Sequence, residues 1–107
     1  MSLEYRIERD GDTITVAPEG DISLETVDAL RDVLRSVVDG PSHAHIEVDM
    51  SAVTFVDSSG IGVLVAARKA AIARGATLLL REPTAMVRMV LEIAHLDGIL
   101  LKDNAVN

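Results

Sequence analysis

"VDSSGIGVLVAARKAA", residues 56 to 71, decides how the rest of this chain is read. An aspartate and two serines stand before two glycines, and the apolar run that follows is broken only by Arg68 and Lys69. Asp57 or Ser58 suits a helix start, because a short oxygen-bearing side chain accepts from the free backbone N–H groups of a first turn, worth about 1 kcal/mol. The stretch predicts a helix from about Ser59 to Arg74, with Gly75 as the left-handed residue beyond its end. Gly60 and Gly62 lie in its first turns, where each costs about 1 kcal/mol of helix propensity relative to Ala. Small residues there let another protein's backbone or a phosphate come close.

Working outward, "AHIEVDM" upstream alternates with period two, Ile46 and Val48 one way, Glu47 and Asp49 the other. That pattern suits a strand with one covered and one partly solvated face. The segment between it and Thr54 reads as a short connection. Nearer the start, "EYRIERDGDTITVAP" reads as a hairpin turning at Asp10-Gly11, ended by Pro18, Glu19 and Gly20. A helix is expected from Ser23 or Leu24, with Ser23 as its cap. Its apolar face is Val27, Leu30, Leu34 and Val37, its outer face Asp28, Arg31, Asp32 and Arg35, and its stop Gly40-Pro41. Downstream, "ATLLL" reads as a buried strand and Pro83-Thr84 opens a third helix carrying Met86, Val90 and Ile93. "GILL" reads as a short last strand. Helices that cross between strands imply parallel pairs, and the first hairpin makes the sheet mixed. The fold class is therefore α/β, a mixed and mostly parallel sheet with helices mainly on one face.

Composition narrows the function. At 107 residues the chain is most simply one domain, residues 1–107. Hydrophobic residues make up 49% and aromatics only 2%, so aliphatic side chains must fill the core. Seventeen acids against ten bases give a formal charge of −7, which argues against a phosphate-backbone binder. The stacking aromatics of single-strand binders are missing too. With no cysteine, disulfides, thiol catalysis and Cys-ligated zinc are excluded. The start, "MSLEYRIERD", carries no apolar signal-peptide core, and Ile61 to Ile72 is too short to span a bilayer; both point to a cytoplasmic protein without membrane contact.

In open α/β sheets, functional groups gather in the loops beyond the carboxyl ends of parallel strands. "PEGDIS" and "VDSSG" are two such loops, so Asp21 and Ser58 are candidates for one site. A hydrolase is disfavoured: Gly-x-Ser-x-Gly is absent, and His43, His45 and His95 stand away from the loop. Nucleotide binding is weaker still, since Gly60-Ile61-Gly62 lacks the lysine and spacing of a phosphate-binding loop. The pair His43 and His45 has no evident third ligand for a metal. Met86 and Met89 suit core and edge packing, and Arg68 and Lys69 a solvated helix face. On residue types alone, Ser58 remains either part of a helix cap or a phosphate acceptor.

"VDSSGIGVLVAARKAA", following "HIEVDMSAVTF" and with "PEGDIS" upstream, resembles the STAS domain of anti-sigma factor antagonists over nearly the whole chain. The resemblance implies a single STAS-like domain in a bacterial partner-switching pathway, not a catalyst and without a cofactor of its own. It implies that an anti-sigma factor with a GHKL-type serine kinase fold phosphorylates Ser58, with ATP belonging to that kinase. It further implies that the unphosphorylated chain binds the anti-sigma factor and frees the sigma factor, and that a PP2C-type phosphatase using Mn²⁺ or Mg²⁺ restores this form. Asp21, Ser23, Asp57, Ser59, Gly60, Ile61 and Gly62 would surround the phosphosite and meet the partner. One departure is Ser23, where many relatives carry an acid. A rival expectation is a STAS assembly subunit of a lipid-transport or stress-signalling complex that binds without phosphorylation.

Overall fold

The computed structural model describes residues 3–40 and 45–101. The chain runs β1 (Glu4–Asp10), β2 (Thr13–Ile22), α1 (Val27–Asp39), β3 (His45–Asp49), β4 (Val53–Val56), α2 (Ser58–Ala73), β5 (Thr77–Arg81), α3 (Ala85–Ile93) and α4 (Asp97–Leu100). β1 pairs antiparallel with β2, closing at Asp10↔Thr13 as the Asp-Gly turn leads one to expect. The other pairs are parallel, in the order β1-β2-β3-β5. β4 lies off this path and pairs with the far end of β2.

The period-two pattern is visible as a ladder across three strands. Ile14 stands beside Ile46 and Ile46 beside Leu78; Val16 stands beside Val48 and Val48 beside Leu80. All six are buried. On the opposite face the neighbouring rows are Thr15, Glu47 and Leu79, with the Arg81 guanidinium 3.5 Å from both Glu47 and Asp49. Burying one face and leaving the other polar is what alternation in a half-covered sheet requires. Val27, Leu30, Val33, Leu34, Val37 and Val38 of α1 complete the apolar layer. Helices thus cover mainly one face, as the strand alternation implies.

Five expectations change. Val53–Val56 is a strand, β4, where only a short connection into the motif is expected. Pro18, Glu19 and Gly20 do not end the second strand: β2 runs through them to Ile22, its first half pairing with β3 and its last residues, past a bulge at Gly20 and Asp21, with β4. Exposed Thr54 and Phe55 side by side interrupt the alternation that would have announced it. "GILL" forms the helical turn α4, and only Leu101 beyond it bridges to Leu80. In α3 the buried residues are Val87 and Leu91. Met86, Met89 and Ile93 are exposed instead, because α3 packs on the short β4 and shows its other side to solvent.

The fifth change moves the start of α1. Ser23 does not cap a helix: residues 23 to 26 form a turn, with the Thr26 and Val27 N–H groups donating to the Ser23 carbonyl at 2.9 and 2.8 Å. The buried Thr26 hydroxyl accepts from the Ser23 N–H at 3.0 Å and donates to the Asp21 carbonyl at 2.9 Å. This hydroxyl fastens the turn to the end of β2. Gly40 follows α1 as expected; Pro41 and His43 lie outside the described residues. Thr26→Ala is expected to lower stability by about 1 kcal/mol in urea denaturation, since two bonds of a buried hydroxyl are lost. Ser23→Ala should change it by less than about 0.5 kcal/mol. The reverse ranking would return the helix start to Ser23.

Candidate functional site

The carboxyl ends of β2 and β4 lie side by side, Ile22 in register with Val56, and the Asp57 N–H donates to the Ile22 carbonyl at 3.1 Å. This pairing brings "PEGDIS" and "VDSSG" together. Asp57 is the residue before α2, and its Oδ1 accepts from the backbone N–H groups of Ser59 at 3.0 Å and Gly60 at 3.2 Å. The Ser59 hydroxyl donates to the same oxygen, and Oδ2 accepts from the Leu24 N–H of the neighbouring loop at 3.2 Å. The cap therefore also ties the two loops to each other. The Ser59 hydroxyl first, then the N–H groups of Gly60, Leu24 and Ser59, hold the Asp57 carboxyl below its usual range, against the opposing effect of desolvation.

The two serines are not equivalent. Ser59 is half-buried and spends its hydroxyl on Asp57. Ser58, the first residue of α2, is exposed, and its hydroxyl has no hydrogen-bond partner among the described residues. Asp21 faces the same end of the sheet. Its carboxylate accepts from the Thr54 hydroxyl, on the strand that leads to Asp57. Leu24, held in place by Asp57 at its backbone, is 76% exposed and stands out as an apolar side chain beside the site.

The two glycines differ as well. A Cβ on Gly60 would meet Ile22 Cγ2 at 2.6 Å and Val56 Cγ2 at 2.7 Å, so the helix start can lie against both strands only if this residue is Gly. The close approach expected there is internal, between α2 and its own sheet. A Cβ on Gly62 would meet nothing within 4 Å, and this position stays open to the surface. Ile61 is half-buried against the core.

From Ser58 a groove of 550 Å³ runs between α1 and α2. Leu34, Val38, Val63 and Ala67 line its depth, and Gly62, Ala66 and Ala70 its α2 rim. Arg31, Arg35 and Asp39 supply its charges. These arginines were expected to point simply outward; they are exposed, yet they share the groove with Ser58. Spacing along α1 marked them as outer residues but carried no information about which helix lies beside them. Leu24, Thr26, Thr54, Arg31 and Arg35 are the site residues that sequence reading missed.

Other candidates do not join the site. His45 opens β3, with its Nδ1 2.9 Å from the Thr77 hydroxyl. Among the described residues no group of three or more His, Asp or Glu could hold a metal ion. Nor is any described helix long and apolar enough to cross a membrane.

A family model described as "Mlab, STAS domain" matches residues 5–102. The chain belongs to the STAS-domain family. Its fold is similar to that of an anti-sigma factor antagonist from Mycobacterium paratuberculosis, with a TM-score of 0.81 at 24% identity over 97% of this chain and 91% of that one. It is also similar to the anti-sigma factor antagonist SpoIIAA in its unphosphorylated form, with a TM-score of 0.79 at 19% identity over 96% and 93%. The phosphorylated form of the Bacillus protein matches with a TM-score of 0.71 at 18% identity over 96% of both chains. A sulfate transporter family protein from Wolinella succinogenes matches at 0.72 and 18% identity, over 92% of this chain and 85% of that one. At these identities the likeness is one of fold.

Two outcomes follow from this STAS site. Gly60→Ala should destabilise the fold by about 1–3 kcal/mol through overpacking, although Ala is the better helix former, whereas Gly62→Ala should be neutral or stabilising by up to about 1 kcal/mol. Thermal or urea unfolding of the two variants checks the contrast. The second concerns pH. A depressed Asp57 stabilises the fold above the unfolded carboxyl value of about 3.9, and this contribution is lost as pH falls through the lower folded value. The amide proton shifts of Leu24, Ser59 and Gly60 should therefore titrate together, with a shared midpoint below about 3.9.

Proposed function

We propose that this STAS domain is an anti-sigma factor antagonist of a bacterial partner-switching pathway, with Ser58 as its phosphate acceptor. The observation that carries the reading is the division between the serines: Ser59 spends its hydroxyl on Asp57, while Ser58 presents a free one at the exposed start of α2. The existence of a fold relative in both unphosphorylated and phosphorylated forms supports it. In this reading the chain is a binding protein and not an enzyme, holds no cofactor and works in the cytoplasm. Its partners are an anti-sigma factor with a GHKL-type serine kinase fold and a PP2C-type phosphatase.

The unphosphorylated form offers a continuous docking surface. It would use exposed Leu24, whose N–H bonds to Asp57, and exposed Phe55 on the strand that leads to Asp57, together with Asp21, Ser23, Asp57, Ser59, Gly60, Ile61 and the open Gly62. The staple from Asp57 to Leu24 holds this surface in one shape before a partner arrives. Phosphorylation adds about −1.5 to −2 charges and three acceptor oxygens beside Asp57. A partner surface that accepted a neutral hydroxyl then meets an anion, and an unfavourable change of about 3–5 kcal/mol weakens binding a few hundred- to a few thousand-fold. The backbone of the fold need not move.

Incubation with the cognate kinase and ATP, followed by mass spectrometry, should place phosphate on Ser58 alone. Phosphate on Ser59 alone would sink the assignment. Ser58→Ala should bind the anti-sigma factor constitutively and Ser58→Asp weakly, as read by calorimetry; equal affinities would refute the charge mechanism.

A second reading is a non-switching STAS assembly subunit of a lipid-transport or stress-signalling complex. A transporter-family protein among the fold relatives favours it. It predicts stable co-purification with a partner whether or not Ser58 carries phosphate, and Ser58→Asp separates it from the first.

A further inference from the structure

The groove beside Ser58 contains the groups that a phosphoserine would seek. We infer that, in the phosphorylated form, Arg31 and Arg35 of α1 turn into this groove and hold the phosphoryl group on Ser58, an inference that rests on reading Ser58 as the acceptor. In the transfer, the γ-phosphoryl of the kinase's ATP forms a bond to Ser58 Oγ, its bond to ADP breaks, and the serine proton is released.

Position is the first argument. α1 follows β2 and α2 follows the parallel β4, so both helices run back across the sheet in the same direction and pack side by side. Ser58 opens α2; Arg31 lies just past the first turn of α1, and Arg35 one turn further on the same side. Both arginines and Ser58 line one groove. Gly62, Ala66 and Ala70 form its rim on the α2 side, so no long side chain of α2 blocks the way from α1 to the phosphate.

Availability is the second. Arg31 pairs with Asp28, but that carboxylate is 85% exposed, and an exposed pair one turn apart on a helix holds its partner weakly. A phosphate monoester carries more charge and three acceptor oxygens, and a guanidinium fork meets two of them at once. Arg35 makes no ion pair among the described residues. Acids also face the position. Asp57 lies next to Ser58 in α2's cap, Asp21 is the last residue but one of β2, Asp28 stands on the first turn of α1, and Asp39 ends the same helix. Asp57 and Asp21 already accept donors of their own, so the arginines are the cations of the groove that remain for the new anion.

The switch then changes two features of one surface. An anion appears at Ser58, and two guanidiniums that had been open to a partner are drawn to it.

The test uses the full chain with phosphoserine inserted at position 58 during translation, so no kinase takes part. A ³¹P NMR titration of Asp28→Asn is compared with that of Asp28→Asn/Arg31→Gln/Arg35→Gln; the shared Asp28 change removes the carboxylate that loss of Arg31 would leave bare. All three positions are exposed, and circular dichroism is used to check that both variants keep the fold. The second ionisation of the phosphate should lie at least about half a pH unit higher without the arginines, because they stabilise the dianion. The same value in both proteins would overturn the inference. Since the phosphate is supplied directly, a chain that no kinase modifies refutes the proposed function while this titration still reads the arginines.

Discussion

One carboxylate holds the working end of the molecule together. Asp57 satisfies two N–H groups at the start of α2, takes the Ser59 hydroxyl, and reaches across to the backbone of Leu24. Ordinary helix caps satisfy their own helix; this one also closes the gap between two loops that are 33 residues apart in sequence. The loops meet because β2 is long enough to pair with β3 at one end and β4 at the other. The site is thus a consequence of sheet register, made rigid by one side chain. A surface rigid before binding loses less conformational entropy when it docks, which suits the binding role proposed for it.

Around that carboxylate, chemically identical residues take opposite roles. Ser59 is consumed by the cap and Ser58 is left free; Gly60 is buried against Ile22 and Val56, and Gly62 is open. A helix turn explains both contrasts. Residues one or two apart point in different directions, so one member of each pair faces the sheet or the cap and the other faces outward. The motif therefore combines a structural half and a presenting half in six residues, Asp57 to Gly62. The feature that starts the helix is also the feature that displays Ser58.

The groove between α1 and α2 adds a charge pattern that net composition hides. A chain with a formal charge of −7 nonetheless places two arginines beside the candidate phosphosite. Local arrangement, more than overall charge, governs what happens to an anion at short range, since screening removes distant charges beyond about 8 Å at physiological salt.

Much of the fold was legible in the sequence, because local physics writes it there. Alternation in "HIEVD" and "TITV", the helical spacing of Leu30, Leu34 and Val37, the Asp-Gly turn and the glycine after α2 each have a short-range cause. The motif at Asp57 to Gly62 was equally plain, together with the family likeness it carries. What stayed hidden was set by partners distant in the chain. β4 is a strand because β2 offers it an edge; α1 starts after Thr26 because that hydroxyl finds the Asp21 carbonyl; Met86 and Ile93 stay outside because α3 packs on so short a strand. Likewise, the motif and its family likeness pointed to Ser58 but said nothing of what Ser59 bonds to, and residue types left both glycines as points of close approach. Only the tertiary structure tied the Ser59 hydroxyl to Asp57, separated Gly60 from Gly62, and set Arg31 and Arg35 along the groove that Ser58 lines. Side-chain direction and neighbouring elements decide such matters, and neither is a property of residue order.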